Sequence, residues 1–126
     1  MRIKRAGAAV SGNPWFTGSY TKNDNRSKVW SLGVRNSWRL SWDEQLGAPW
    51  SAEVGWSKFE EVNLSRKQSN GGWPCLHGDE AISAFSSFDG CVNYPVVGND
   101  NPPEYFYGRN EGIASGAALR VSFPSW

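Results

Sequence analysis

The chain has 126 residues, 13 basic and 12 acidic side chains, a net charge of +1 and a mean hydropathy of −0.56. That length suits one domain with its own core, and the near-cancelled charge excludes the strong field of a nucleic-acid or anionic-membrane binder. Eight tryptophans and 14 glycines, without long runs of helix-favouring residues, suit strands and tight turns, and no apolar run approaches the roughly 18 residues of a membrane-spanning helix.

Residues 1–14 read as a basic arm carrying Arg2, Lys4 and Arg5. Its apolar stretch stops at Ser11-Gly12-Asn13-Pro14. That is short of the roughly 7–15 apolar residues and cleavage site of a secretory signal, which predicts a cytoplasmic or virion setting. Residues 15–126 read as a single β domain. Trp15 to Thr21 is a short aromatic and β-branched strand candidate, followed by the polar loop Lys22–Ser27.

From Trp30 to Trp56 the apolar residues keep one parity: Trp30, Leu32, Val34, Trp38, Leu40, Trp42, Trp50, Ala52, Val54 and Trp56 are all even-numbered. A period of two predicts strands with one buried face, and five of the eight tryptophans fall on it. Lys28 to Trp42 reads either as one long strand or as a hairpin turning at Arg35-Asn36-Ser37. Asp43–Pro49 is a loop with Gly and Pro punctuation. Trp50 to Leu64 reads as the next strand, with a bulge or strand end where the parity slips near Phe59.

Asn70-Gly71-Gly72 is a strong turn signal. Glu80 to Phe88 reads as a strand, and Asp89-Gly90 as a two-residue hairpin turn placing Phe88 opposite Cys91 and Phe85 opposite Tyr94. Gly98–Pro103 is a loop. Tyr105-Phe106-Tyr107 opens another strand, and Ala117 to Phe123 alternates as the last one. The sum is an all-β fold, an antiparallel sandwich or barrel of roughly six to nine strands with long loops.

Candidate chemistry is sparse. Cys75, His77, Asp79 and the distant Cys91 are zinc-ligand types, but their spacing matches no established zinc motif. A polar loop with two free, buried thiols is the favoured reading, since free thiols are the default without export, although a disulfide stays open. A Cys–His–Asp triad this local in sequence rarely reaches the required geometry. The carboxylate pairs Asp43-Glu44, Glu60-Glu61 and Asp79-Glu80 point to opposite faces if they lie on strands, so none alone flanks a sugar as glycoside hydrolysis requires, and a small glycosidase stays open only through other pairings beside the tryptophans. No glycine-rich phosphate loop leads from strand to helix.

Tryptophan and tyrosine serve as core filler, as interface anchors or as stacking platforms for sugar rings. The stripe from 30 to 56 reads as core or a buried subunit interface. Trp15, Trp73, Tyr105, Tyr107 and Trp126 lie outside it, near turns or ends, and are the candidates for contact with a partner or glycan.

Two short resemblances stand beside this reading. Gly116-Ala-Ala-Leu-Arg-Val-Ser-Phe123 resembles the closing strand of bacterial outer-membrane barrels, which usually end on that aromatic, whereas Pro124-Ser125-Trp126 follow here. Trp15-Phe-Thr-Gly-Ser-Tyr20 and the tail resemble phage and bacterial lectin-like receptor domains.

The expectation is therefore a non-enzymatic structural or interaction protein, a subunit of a larger assembly such as a phage or virus particle. It has no catalytic residues, metal or cofactor, and its partners are protein subunits, of itself or of others. A carbohydrate-binding module is the first alternative, and a small outer-membrane-type β-barrel the second.

Overall fold

The computed structural model describes residues 1–17, 24–92, 94 and 99–112. The predicted strand 117–123, Trp126 and most of the strand predicted from Trp15 lie outside them; the described part of the latter, 15–17, is not a strand. The chain is all-β. In chain order the strands are β1 (Ser37–Asp43), β2 (Ala48–Glu53), β3 (Phe59–Leu64), β4 (Ser69–Asn70), β5 (Leu76–His77), β6 (Glu80–Ala81), β7 (Asn99–Asp100) and β8 (Tyr105–Gly108). One antiparallel sheet in the order β1-β2-β3-β8 is the frame. The pairs β4–β7 and β5–β6 are short satellites.

The β1–β2 hairpin turns because Asp43 caps it. Its Oδ1 accepts the amide N–H groups of Gln45 and Leu46, its carbonyl accepts that of Gly47, and Gly47 adopts the left-handed conformation at φ +62°. Trp50 donates its indole N–H to the same carboxylate at 3.0 Å. This hairpin corrects the single-face reading of the stripe. Leu40 sits opposite Ser51 and Trp42 opposite Pro49, so beyond the register shift at residues 37–39 the even residues of β1 share a face with odd residues of β2. Leu40 and Trp42 therefore lie on one side of the sheet, and Trp50 and Ala52 on the other. Trp38, Leu40 and Trp42 are 70%, 66% and 49% exposed on this edge strand, whereas Ala52 is fully buried.

Residues 50–64 are two strands, not one. The parity slip is the connection from 54 to 58, where Gly55 passes the chain so closely that a Cβ would lie 1.5 Å from the Phe59 carbonyl oxygen. Residues 28–36 are neither a continuation of β1 nor its hairpin partner. They run beside 68–73, through the N–H groups of Gln68, Leu32, Gly71 and Trp73 and the carbonyls of Trp30, Ser69, Leu32 and Gly33. Gly33 is required there. Its φ is +68°, and a Cβ would meet Asn70 Oδ1 at 2.0 Å and the Gly72 nitrogen at 2.6 Å. The basic arm folds back: Arg2 donates its amide to the Lys28 carbonyl, Asn13 Nδ2 donates to the carbonyls of Arg2 and Ser27, and the Arg2 guanidinium lies 4.9 Å from the Trp30 ring centre.

Two further elements differ from the sequence reading. Only Glu80–Ala81 of the stretch 80–88 is strand; a 3-10 turn follows at Ser83–Phe85. Asp89-Gly90 opens the one-turn helix α1 (Asp89–Val92) instead of a hairpin. Cys75 and Cys91 form a disulfide with Cα atoms 5.1 Å apart, so the thiols are not free.

Candidate functional site

Among the described residues, Ala9, Trp30, Ala48, Ala52, Leu64, Cys75 and Ile82 are the buried apolar residues, but the sheet face under segments 30–36 and 68–78 is polar. Ser51 and Asn63 pair across β2 and β3, and so do Glu53 and Glu61; all four are buried. A carboxylate in such a place must be hydrogen-bonded. Glu61 Oε1 accepts the Gly78 amide at 2.6 Å, and its Oε2 accepts Asn63 Nδ2 at 3.1 Å. Glu53 Oε2 accepts the amides of Arg35 at 2.7 Å and Asn36 at 3.4 Å. Burial pushes the Glu53 carboxyl above the ordinary carboxylate value. The Arg35 amide and Ser37 pull it back, and Glu61 opposite pushes it up again.

Arg35 is clamped from several sides. Its Nη1 donates to the carbonyls of Val54 at 2.6 Å and Gly55 at 3.0 Å. Its guanidinium carbon lies 5.4 Å from the Trp56 ring centre and 5.2 Å from that of Trp73, within cation–π range of both. The two indoles touch at 5.8 Å, and Phe85 packs on both at 5.3 Å. Trp56 remains 42% exposed. Among the described residues, the other N–H groups of the guanidinium donate to no protein acceptor, so the fork presents an oriented cation beside an aromatic wall. Such a fork suits a carboxylate, and the ring faces suit a flat ligand.

The clamp residues Arg35, Trp56 and Trp73, together with Glu53, Glu61 and His77, line a space of about 10 Å³, room for about one water. A separate groove of about 390 Å³ meets the clamp at Trp73, between Leu32, Trp73, Pro74, Phe88, the disulfide and Tyr94. His77 is buried and packs edge-on against Phe59 at 5.3 Å. Burial pushes its pKa below the ordinary value; Glu80 raises it and Lys58 lowers it again. A third carboxylate, Glu60, is fully buried on the opposite face of the sheet. Its Oε2 accepts the Gly55 amide, and its Oε1 lies 3.3 Å from Arg109 Nε. Arg109 Nη2 also reaches the carbonyls of Gly55 and Trp56.

Of the sequence-predicted contact residues, Trp73 forms a wall of this site. Trp15 is half-buried away from it, while Tyr105 and Tyr107 lie on β8 with rings 6.1 Å apart. Trp126 is outside the described residues. Cys75, His77, Asp79 and Cys91, residue types able to bind zinc but read from sequence as a polar loop, are not grouped around one point. Cys75 is committed to its disulfide, Asp79 is exposed, and among the described residues no three His, Cys, Asp or Glu side chains are grouped to hold an ion. The sequence reading does not single out Arg35 or Glu53, weighs Glu61 only as half of the Glu60-Glu61 pair, and places Trp56 on the stripe of core or interface. The one available signal was acidic residues placed inside strand patterns flanked by Ala and Val.

Comparison with known proteins bears on this site. Residues 1–96 match the glucose/sorbosone dehydrogenase family. The aldose sugar dehydrogenase YliI of Escherichia coli K12 is 28% identical over 128 aligned positions, spanning 100% of this chain and 33% of YliI. The HIPL2 protein of Arabidopsis thaliana is 31% identical, covering 74% of this chain and 14% of its own. The PQQ-bound aldose sugar dehydrogenase of Streptomyces coelicolor shares the fold at a TM-score of 0.59 and 23% identity, over 86% of this chain and 25% of that one. A glucose dehydrogenase crystal structure matches at 0.55 and 27% identity, over 82% and 28%. The chain thus spans a third or less of the relatives it matches. These matches overturn the expectation of a non-enzymatic virion or assembly subunit, for what it resembles is named as dehydrogenase. With residues 1–96 accounted for by one family model, the chain belongs to the glucose/sorbosone dehydrogenase family.

Proposed function

We propose that this chain forms part of the cofactor-binding wall of an aldose-type sugar dehydrogenase that uses pyrroloquinoline quinone, PQQ, with Arg35, Trp56 and Trp73 as the contact residues. The observation that carries the reading is the Arg35 clamp. PQQ is a flat quinone with carboxylates on its rim, and the donor set fits it: an oriented guanidinium for a carboxylate, and indole faces beside it for the ring system. Bound PQQ supplies the two-electron oxidant for a sugar hydroxyl. The chain's own residues bind and orient. Arg35 fixes one anionic edge, Trp56 and Trp73 keep water from it, and Glu61, held by Gly78 and Asn63, stiffens the floor. His77, kept neutral by burial, adds no charge that competes with Arg35. The Cys75–Cys91 disulfide supports an oxidising setting for the protein.

Titration of the full chain with PQQ, followed by tryptophan fluorescence, tests this. Saturable quenching is expected. Arg35→Ala should weaken binding at least about tenfold, and Arg35→Lys, which keeps the charge without the fork, should fall between. Absence of saturable quenching, or an unchanged affinity in Arg35→Ala, overturns the proposal.

A further inference from the structure

We propose that Glu53 is the positioning residue of the Arg35 clamp, acting on the backbone of Arg35 while the carbonyls that follow it hold the head group. This deepens the PQQ reading and, as an account of binding, rests on it. The geometry is reciprocal. Glu53 Oε2 accepts the Arg35 and Asn36 amides, and the Asn36 carbonyl accepts the Val54 amide at 3.2 Å. The very next carbonyls, of Val54 and Gly55, accept Arg35 Nη1. Four consecutive residues, 53–56, thus grip one arginine by its backbone, its guanidinium and its π-contact.

The placement of Glu53 is costly on any other account. It is 2% exposed and lies directly across the strand pair from Glu61, a second buried carboxylate. Burying a carboxylate beside another is unfavourable unless hydrogen bonds to it are strong. Glu61 turns its oxygens to Gly78 and Asn63, which leaves the amides of residues 35 and 36 to Glu53. Those amides belong to a stretch that is not in a strand, since β1 begins at Ser37. No ladder holds the backbone of Arg35, so its direction depends on the carboxylate.

The test compares wild type, Glu53→Gln and Glu53→Leu in two measurements on the full chain: amide hydrogen exchange without ligand, and PQQ affinity. Gln keeps one acceptor oxygen in place; Leu keeps none. The Arg35 and Asn36 amides should exchange at least about tenfold faster in Glu53→Leu, with Glu53→Gln between, while those of Ala52 and Val62 in the ladder change little. PQQ affinity should follow the same order, and the return of protection and affinity in the Gln variant is what a general packing role does not produce. Unchanged Arg35 and Asn36 amides in both variants, or a loss spread evenly over β2 and β3, overturns the proposal. If Glu53→Leu fails to fold, Glu53→Gln decides: faster exchange confined to residues 35 and 36 supports it, and wild-type exchange overturns it. The two readings separate cleanly. Wild type that ignores PQQ but shows the exchange pattern removes the cofactor reading alone. PQQ binding with unaltered amides removes the role of Glu53 alone.

Discussion

Arg109→Ala tests how the exit of β2 is held. Arg109 Nε faces the fully buried Glu60 carboxylate at 3.3 Å, and its Nη2 reaches the carbonyls of Gly55 and Trp56. Removing one partner of a fully buried ion pair costs about 3–5 kcal/mol, mostly because the other charge is left uncompensated. The Arg109 side chain is 42% exposed, so water relieves part of that, and about 2–3 kcal/mol is the reasoned loss. For a chain of this length each kcal/mol moves Tm by about 4 °C, so thermal denaturation should fall by about 8–12 °C. Neutralising the stranded acid must then help. Gln at position 60 still accepts the Gly55 amide, which bonds Glu60 Oε2 at 3.1 Å. Arg109→Ala/Glu60→Gln should therefore be about 1 kcal/mol or more above Arg109→Ala alone, a coupling of the size contacting residues show. Strictly additive effects, or a double variant no more stable than Arg109→Ala, would refute the reasoning that the buried charge is what Arg109 answers.

Reduction of Cys75–Cys91, whose residues are 16 apart, should lower stability by about 3 kcal/mol, read as the Tm difference with and without reductant. His77 is held below its ordinary 6.5, so its stabilising contribution is full above pH 6.5 and is lost as pH falls through 6.5 towards the depressed value; His77→Gln should flatten that part of the Tm–pH curve. Gly33→Ala places a Cβ 2.0 Å from Asn70 Oδ1 at a positive φ, and should destabilise by roughly 2 kcal/mol or more in denaturant titration while weakening PQQ binding through the displaced Arg35. Trp38→Ser, on the exposed edge, should change the stability of the chain by under about 0.5 kcal/mol.

The class of fold was legible because strand periodicity is a local property. Of the strands predicted over 28–42 and 50–64, residues 37–42, 50–53 and 59–64 are strand, and the Tyr105-Phe106-Tyr107 run opens one. What parity could not carry was the relation between strands. A turn of the length from Asp43 to Ala48 puts even residues opposite odd ones, and that number lies in the hairpin register rather than in either strand. The helical turn at Asp89 was missed because Asp-Gly is a hairpin signal only when extended strands flank it. Here a 3-10 turn precedes it and the disulfide to Cys75 holds its helix.

The site was illegible for a related reason. Glu53 and Glu61 occupy alternate positions that, in a sheet with one wet face, belong to solvent. This sheet is covered on the face they share, so the same alternation describes an interior that is polar by composition. A buried carboxylate must find donors, and here they include the amides of Arg35, Asn36 and Gly78. Polar residues on the inner face thus select which loops lie on them, and one of those loops carries Arg35. The arginine reads from sequence as a turn residue between two tryptophan strands. It becomes a clamped cation only because Trp56 and Trp73, far apart in the chain, are brought to its two faces by the β2 exit and by the 68–73 segment that pairs with 30–33. The chemistry therefore resides in contacts between loops, and these follow from which acids the sheet buries.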